Sequence, residues 1–145
     1  MSNPASDPVE PAPAATGGCL CGAVRFRVDG PLRDVVNCHC GRCRRTHGHV
    51  AAYTATEPRH LTLVEERGLA WYRADERDRG FCRECGASLF WRAAGRGTIS
   101  IAAGTLDAPT GLRTVAHIFV ADRGDYYDLE DDLERFPEGR ASRQP

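Results

Sequence analysis

The chain has 145 residues, 41% of them hydrophobic and 27% charged, with a net charge of −1. That balance excludes a disordered polyelectrolyte, and no segment approaches the ~18 consecutive apolar residues of a spanning helix, so neither a membrane nor a dense anionic polymer is an expected partner. The length suits one domain with a continuous core.

Residues 1–16, MSNPASDPVEPAPAAT, are Pro- and Ala-rich without periodicity and read as a disordered leader. They have neither the basic start nor the apolar run of a signal peptide, which makes a cytoplasmic location the expectation. The domain is expected at residues 17–137, with 138–145 as a flexible tail.

In AVRFRVDG, Val24, Phe26 and Val28 alternate with Arg25, Arg27 and Asp29, the period of a half-buried strand ending at Asp29-Gly30-Pro31. Further strands are predicted at 50–56, 60–66, 69–74, 88–93, 98–104 and 114–122, each bounded by Gly, Pro, Asp or another turn former. The best helical candidate is the stretch after Cys40. Short strands without crossover helices predict an all-β, mainly antiparallel fold with short helical turns.

The seven cysteines fall in three groups: Cys19 and Cys21; Cys38, Cys40 and Cys43; Cys82 and Cys85. In a reducing compartment such clusters are metal ligands more often than disulfides, and an odd number fits disulfides poorly. FCRECG has the C-x-x-C-G form of a zinc knuckle, while each C-x-C alone is a weaker signal. A closed structural zinc takes four ligands and a catalytic one usually three, so seven divide naturally as four plus three. Spacing leaves the pairing open: Cys38 and Cys40 with Cys82 and Cys85 is one alternative, and His39, His47 or His49 as an added ligand is another.

The runs GGCLCGAVRF, NCHCGRCRRTHG, RGFCRECGASLFW, IAAGTLD and HIFVADRGDYYDLEDDLERFP, in that order over residues 17–137, resemble the glutathione-dependent formaldehyde-activating enzymes, a family also described with the centromere protein V domain. The resemblance implies a beta-tent domain with two zinc ions. Residue by residue, Cys19, Cys21, Cys82 and Cys85 match the structural site, and Cys38, Cys40 and Cys43 the labile or catalytic one. The chain departs from it in having Tyr126 and Tyr127 where members often have Trp.

The implied activity is that of a zinc-dependent carbon–sulfur lyase resembling S-hydroxymethylglutathione synthase, adding glutathione or a similar small thiol to formaldehyde or a related aldehyde. Three thiolates and one Zn²⁺ sum to −1, so a further thiolate needs positive neighbours; Arg42, Arg44 and Arg45 are the candidates, and they would also pair with substrate carboxylates. His39, between two ligands, reads as packing or supporting them, His47 and His49 as polar surface, His117 as a hydrogen-bonded core histidine, and the acidic run after Asp122 as a solvated cap. The alternative function is a non-catalytic, zinc-stabilised module binding a protein or thiol ligand. Redox sensing through Cys38, Cys40 and Cys43 is a third.

Overall fold

The alternation at residues 25–28 is realised as a strand whose Phe26 and Val28 are buried while Arg25 pairs with Asp107 and Arg27 with Asp29. It belongs to a computed structural model that describes residues 14–140. In chain order the elements are β1 (Ala15–Gly18), β2 (Arg25–Val28), β3 (Val35–Cys38), α1 (Gly41–His47), β4 (Ala51–Thr56), β5 (Leu61–Glu65), β6 (Leu69–Ala74), β7 (Arg77–Cys82), β8 (Ser88–Ala93), β9 (Ile99–Ala102), β10 (Thr114–Ile118) and β11 (Glu134–Arg135).

Three strands, β1-β2-β5, make a small antiparallel sheet, and the other eight run in the order β11-β10-β3-β4-β9-β8-β7-β6. The fold is thus mostly β-sheet and mainly antiparallel; the exceptions are β10 with β3 and β10 with β11, which pair in parallel. The main core has Val24, Phe26 and Val28 against Leu89, Phe90, Ile99 and Ile101 of the large sheet. At its centre the Phe26 and Phe90 rings meet edge to face, 5.3 Å between centroids. A second cluster gathers Cys38, Cys43, Ala51, Tyr53 and Ala102 under α1. Among the described residues no helix is long and apolar enough to cross a membrane.

Four strands depart from the sequence expectation. β1 begins at Ala15, inside the stretch read as leader, because Gly17 lets the backbone lie flat on the core: a Cβ there would sit 2.5 Å from Phe26 Cζ. The rest of that leader, residues 1–13, lies outside the described residues. β3 is buried at both Val35 and Val36, so it shows no alternation. β7 is charge-rich, and its turn from β6 uses Asp75 and Glu76 at φ 51° and 62° in place of the Asn-Gly or Asp-Gly that marks such hairpins. β11 has two residues and takes its partner from β10.

Two boundaries also move. The strand expected over 114–122 ends at Ile118, where Phe119 turns into the left-handed region at φ 54°. The expected tail is anchored at its start, since the Phe119 N–H donates to the Glu138 carbonyl at 3.1 Å; residues 141–145 lie outside the described residues. Because Phe26 joins the two sheets, Phe26→Ala should cost about 3–5 kcal/mol in denaturant unfolding of the metal-loaded protein. The exposed Val64→Ala on β5 should change stability by about 0.5 kcal/mol at most.

Candidate functional site

The cysteines assemble as two clusters, Cys19, Cys21, Cys82 and Cys85 in one and Cys38, Cys40 and Cys43 in the other, each with its sulfurs within 4.8 Å of one another. In the first, Cys21 Sγ lies 3.7 Å from Cys19 Sγ and 3.8 Å from Cys82 Sγ. Sulfurs about 2.3 Å from a common centre form a tetrahedron with edges of about 3.8 Å, and these two separations match such an edge.

Local backbone explains that fit. The Gly86 N–H closes the knuckle onto the Cys82 carbonyl at 2.7 Å, with Gly86 at φ 79°, a conformation that favours glycine. On the other arm the Val24 N–H donates to Cys19 Sγ at 3.2 Å. Backbone hydrogen bonds from Ala87 and Cys21 hold the Cys85 thiol down at about 6, favouring the thiolate that a metal requires. The cluster ties the end of β1 to the β7–β8 turn, which links the two sheets.

The second cluster sits where β3 runs into α1. Cys40 is the residue before the helix, and its sulfur accepts from the Cys43 N–H at 3.3 Å. Three sulfurs this close cannot all ionise without a cation. Hydrogen bonds from Cys38 and Cys43 hold Cys40 far below the ordinary thiol range, while hydrogen bonds with Cys40 and Cys43, with burial, push Cys38 far above it. The donor set is that of a zinc site with three protein ligands.

Arg79 of β7 brings positive charge to this cluster. One guanidinium nitrogen lies 3.9 Å from Cys43 Sγ and another donates to Thr46 Oγ1 at 3.3 Å. Beside it, His47 Nε2 and the Tyr53 hydroxyl are 2.8 Å apart. Burial lowers the His47 pKa, reinforced by Arg79, and burial raises that of Tyr53, so the pair is neutral at physiological pH. Two hollows of about 420 and 190 Å³ meet along α1 and share Thr46, His47, Gly86 and Ser88; the smaller also has Tyr53 and Arg79 in its wall.

On the opposite side of the Cys38–Cys40 segment, His39 and His117 are buried at 2% and 3% exposure. His39 Nε2 is 2.8 Å from His117 Nδ1, His117 Nε2 is 2.9 Å from Asp131, and His39 Nδ1 meets the Tyr127 hydroxyl. Burial holds His39 at about 4, hence uncharged near neutrality.

A family model described as glutathione-dependent formaldehyde-activating enzyme matches residues 14–122, a span that contains all seven cysteines. The chain belongs to that family. A crystal structure of a Rhodobacter sphaeroides protein is similar at 25% identity and a TM-score of 0.55, covering 68% of this chain and 97% of the other. Tyr126, Tyr127 and Asp131 lie beyond the segment matched to the family.

The cysteine sets are those expected from the resemblance, brought together in space. Arg42, Arg44 and Arg45 share α1 with Cys43: Arg42 is 3.5 Å from Asp75, Arg45 is exposed, and among the described residues no hydrogen bond joins the three to a cysteine sulfur. Arg44 and Arg45 lie in the last turn of α1, where cations complement the helix dipole. Arg79 was hidden from sequence reasoning because β7 itself was. His39 and His117 have the supporting and core places expected of them, but their partners Tyr127 and Asp131 carried no local signal.

The two clusters should respond differently to loss of one sulfur. Cys82 is fully buried, and Cys82→Ser should lower the unfolding temperature sharply or prevent folding, because structural metal binding is linked to folding free energy. Cys43→Ser should leave a folded chain carrying one zinc in place of two, as measured by metal content and circular dichroism.

Proposed function

We propose that the chain catalyses the reversible addition of a small thiol, glutathione being the one its family is named for, to formaldehyde or a similar aldehyde. The observation that carries this reading is the place of Arg79: it lies against the Cys43 sulfur of the three-cysteine cluster and also lines a hollow with Thr46, His47 and Tyr53, whereas the four-cysteine cluster has four ligands of its own. Cys38, Cys40 and Cys43 would hold the catalytic zinc, which when bound supplies a Lewis acid that keeps a substrate thiol deprotonated. Cys19, Cys21, Cys82 and Cys85 would hold the structural one.

The chain's own residues then have separable tasks. Arg79 offsets the negative charge gathered on the sulfurs and so lowers the cost of bringing in another thiolate. Thr46 and Ser88 give the hollow polar walls suited to a peptide-like thiol. As the carbon–sulfur bond forms, the carbonyl electron pair moves to oxygen. Tyr53, kept protonated by burial, donates a hydrogen bond to that oxygen, with His47 orienting the phenol. The thiol proton lost equals the hydroxyl proton gained, so the step needs no oxidant, reductant or net proton. Arg42, Arg44 and Arg45, on the same helix as Cys43, would attract an anionic thiol over longer range.

The test is magnetisation-exchange NMR on ¹³C-formaldehyde and glutathione, with and without the zinc-loaded protein. Acceleration of the exchange is expected. Tyr53→Phe should reduce it about 100-fold with little change in KM, as removal of a proton donor does, and Arg79→Met should chiefly raise KM. A protein that accelerates exchange with no thiol would contradict the proposal and favour a zinc-stabilised binding module.

A further inference from the structure

Burying two imidazoles in series is expensive unless every nitrogen is satisfied, and here every one is. The direction of the chain follows from its last member. A carboxylate only accepts, so His117 Nε2 carries the proton toward Asp131. In a neutral His117 ring Nδ1 is then an acceptor and takes the Nε2–H of His39. His39 Nδ1 is left as an acceptor for the Tyr127 hydroxyl. A single tautomer at each histidine satisfies the whole series.

The Asp131 end of this series and its His39 member are both held. The Leu133 N–H donates to Asp131 Oδ1 at 3.1 Å and the Arg135 guanidinium donates to the Asp131 carbonyl at 2.7 Å, which fixes the carboxylate. The parallel pairing of β10 with β3 places Ile118 beside Cys38, and the His39 N–H donates to the Ile118 carbonyl at 3.0 Å. His39 is therefore pinned by both backbone and ring, and it stands between two of the three clustered cysteines. Side chains alternate along an extended segment, so Cys38 and Cys40 share the face opposite His39, and their sulfurs lie within 4.8 Å of that of Cys43.

We propose that Asp131, His117 and Tyr127 are positioning residues that act through the His39 ring to lock the Cys38–His39–Cys40 segment in its ligating shape, making metal affinity at the three-cysteine cluster depend on the seating of the C-terminal segment. Polar groups that orient a metal's ligands typically contribute about 10- to 100-fold in affinity. The four-cysteine cluster, made by the segment after β1 and the end of β7 with its turn, makes no hydrogen bond to this series among the described residues and serves as an internal control. The inference rests on the metal-site half of the proposed function and not on the reaction.

The experiment starts from the full-length, zinc-loaded chain and follows zinc release to a chromogenic chelator at increasing concentration. Wild type should release its two ions in two steps. Asp131→Ala, at an exposed position, and His117→Phe, each checked for retained fold by circular dichroism, should shift the weaker step by about 10- to 100-fold and leave the tighter one in place, with a smaller shift in the same direction for Tyr127→Phe. A weaker step unmoved in Asp131→Ala would overturn the proposal, as would an equal shift of both steps, which marks general destabilisation. A wild-type chain holding one zinc would overturn both this inference and the proposed function. The site-selective shift without aldehyde chemistry would leave the inference standing and overturn only the reaction.

Discussion

Mutual repulsion among sulfurs is the constraint around which this molecule is built. Each cluster holds its sulfurs within 4.8 Å, a crowding that thiolates tolerate only around a cation. The chain accepts that cost in two different ways. At Cys19, Cys21, Cys82 and Cys85 the sulfurs come from the segment after β1 and from the end of β7 and its turn, so a shared metal would fasten the small sheet to the β7–β8 hairpin. At Cys38, Cys40 and Cys43 they come from one strand-to-helix junction of six residues, and closure of the metal shell is left to something outside the chain.

The surroundings of the second cluster are divided to match. Toward the hollow stand Arg79, Tyr53 and His47, groups suited to charge and to an oxygen that gains it. Away from it run His39, His117, Asp131 and Tyr127, which meet the C-terminal segment. In the proposed function one face would address a substrate while the other fixes the ligands, with His39 between them. The acidic C-terminal run takes part in this through Asp131, so it is more than a solvated cap.

The sequence reading was most informative where the signal is local. Val24, Phe26 and Val28 revealed β2 because alternation needs only adjacent residues, and the cysteine sets were legible through ligand spacing together with the family resemblance. β1, β3 and β7 were not, for three different reasons: glycines chosen for close approach, burial on both faces, and a charge-rich strand entered through a turn without glycine or asparagine. Arg79 is 36 residues from Cys43, and no pattern along the chain announces that contact. Arg42, Arg44 and Arg45 were nominated by adjacency to Cys43, yet a helix points neighbouring positions in different directions, and Arg42 leaves for Asp75.

The central claim is that the three-cysteine cluster is an open metal site that gains a sulfur from substrate. X-ray absorption at the zinc edge tests it most directly, on the zinc-loaded chain with and without glutathione. The account predicts about 3.5 sulfurs per zinc on average in the free protein, rising to about 4 when the thiol is added. An average that glutathione leaves unchanged would contradict it.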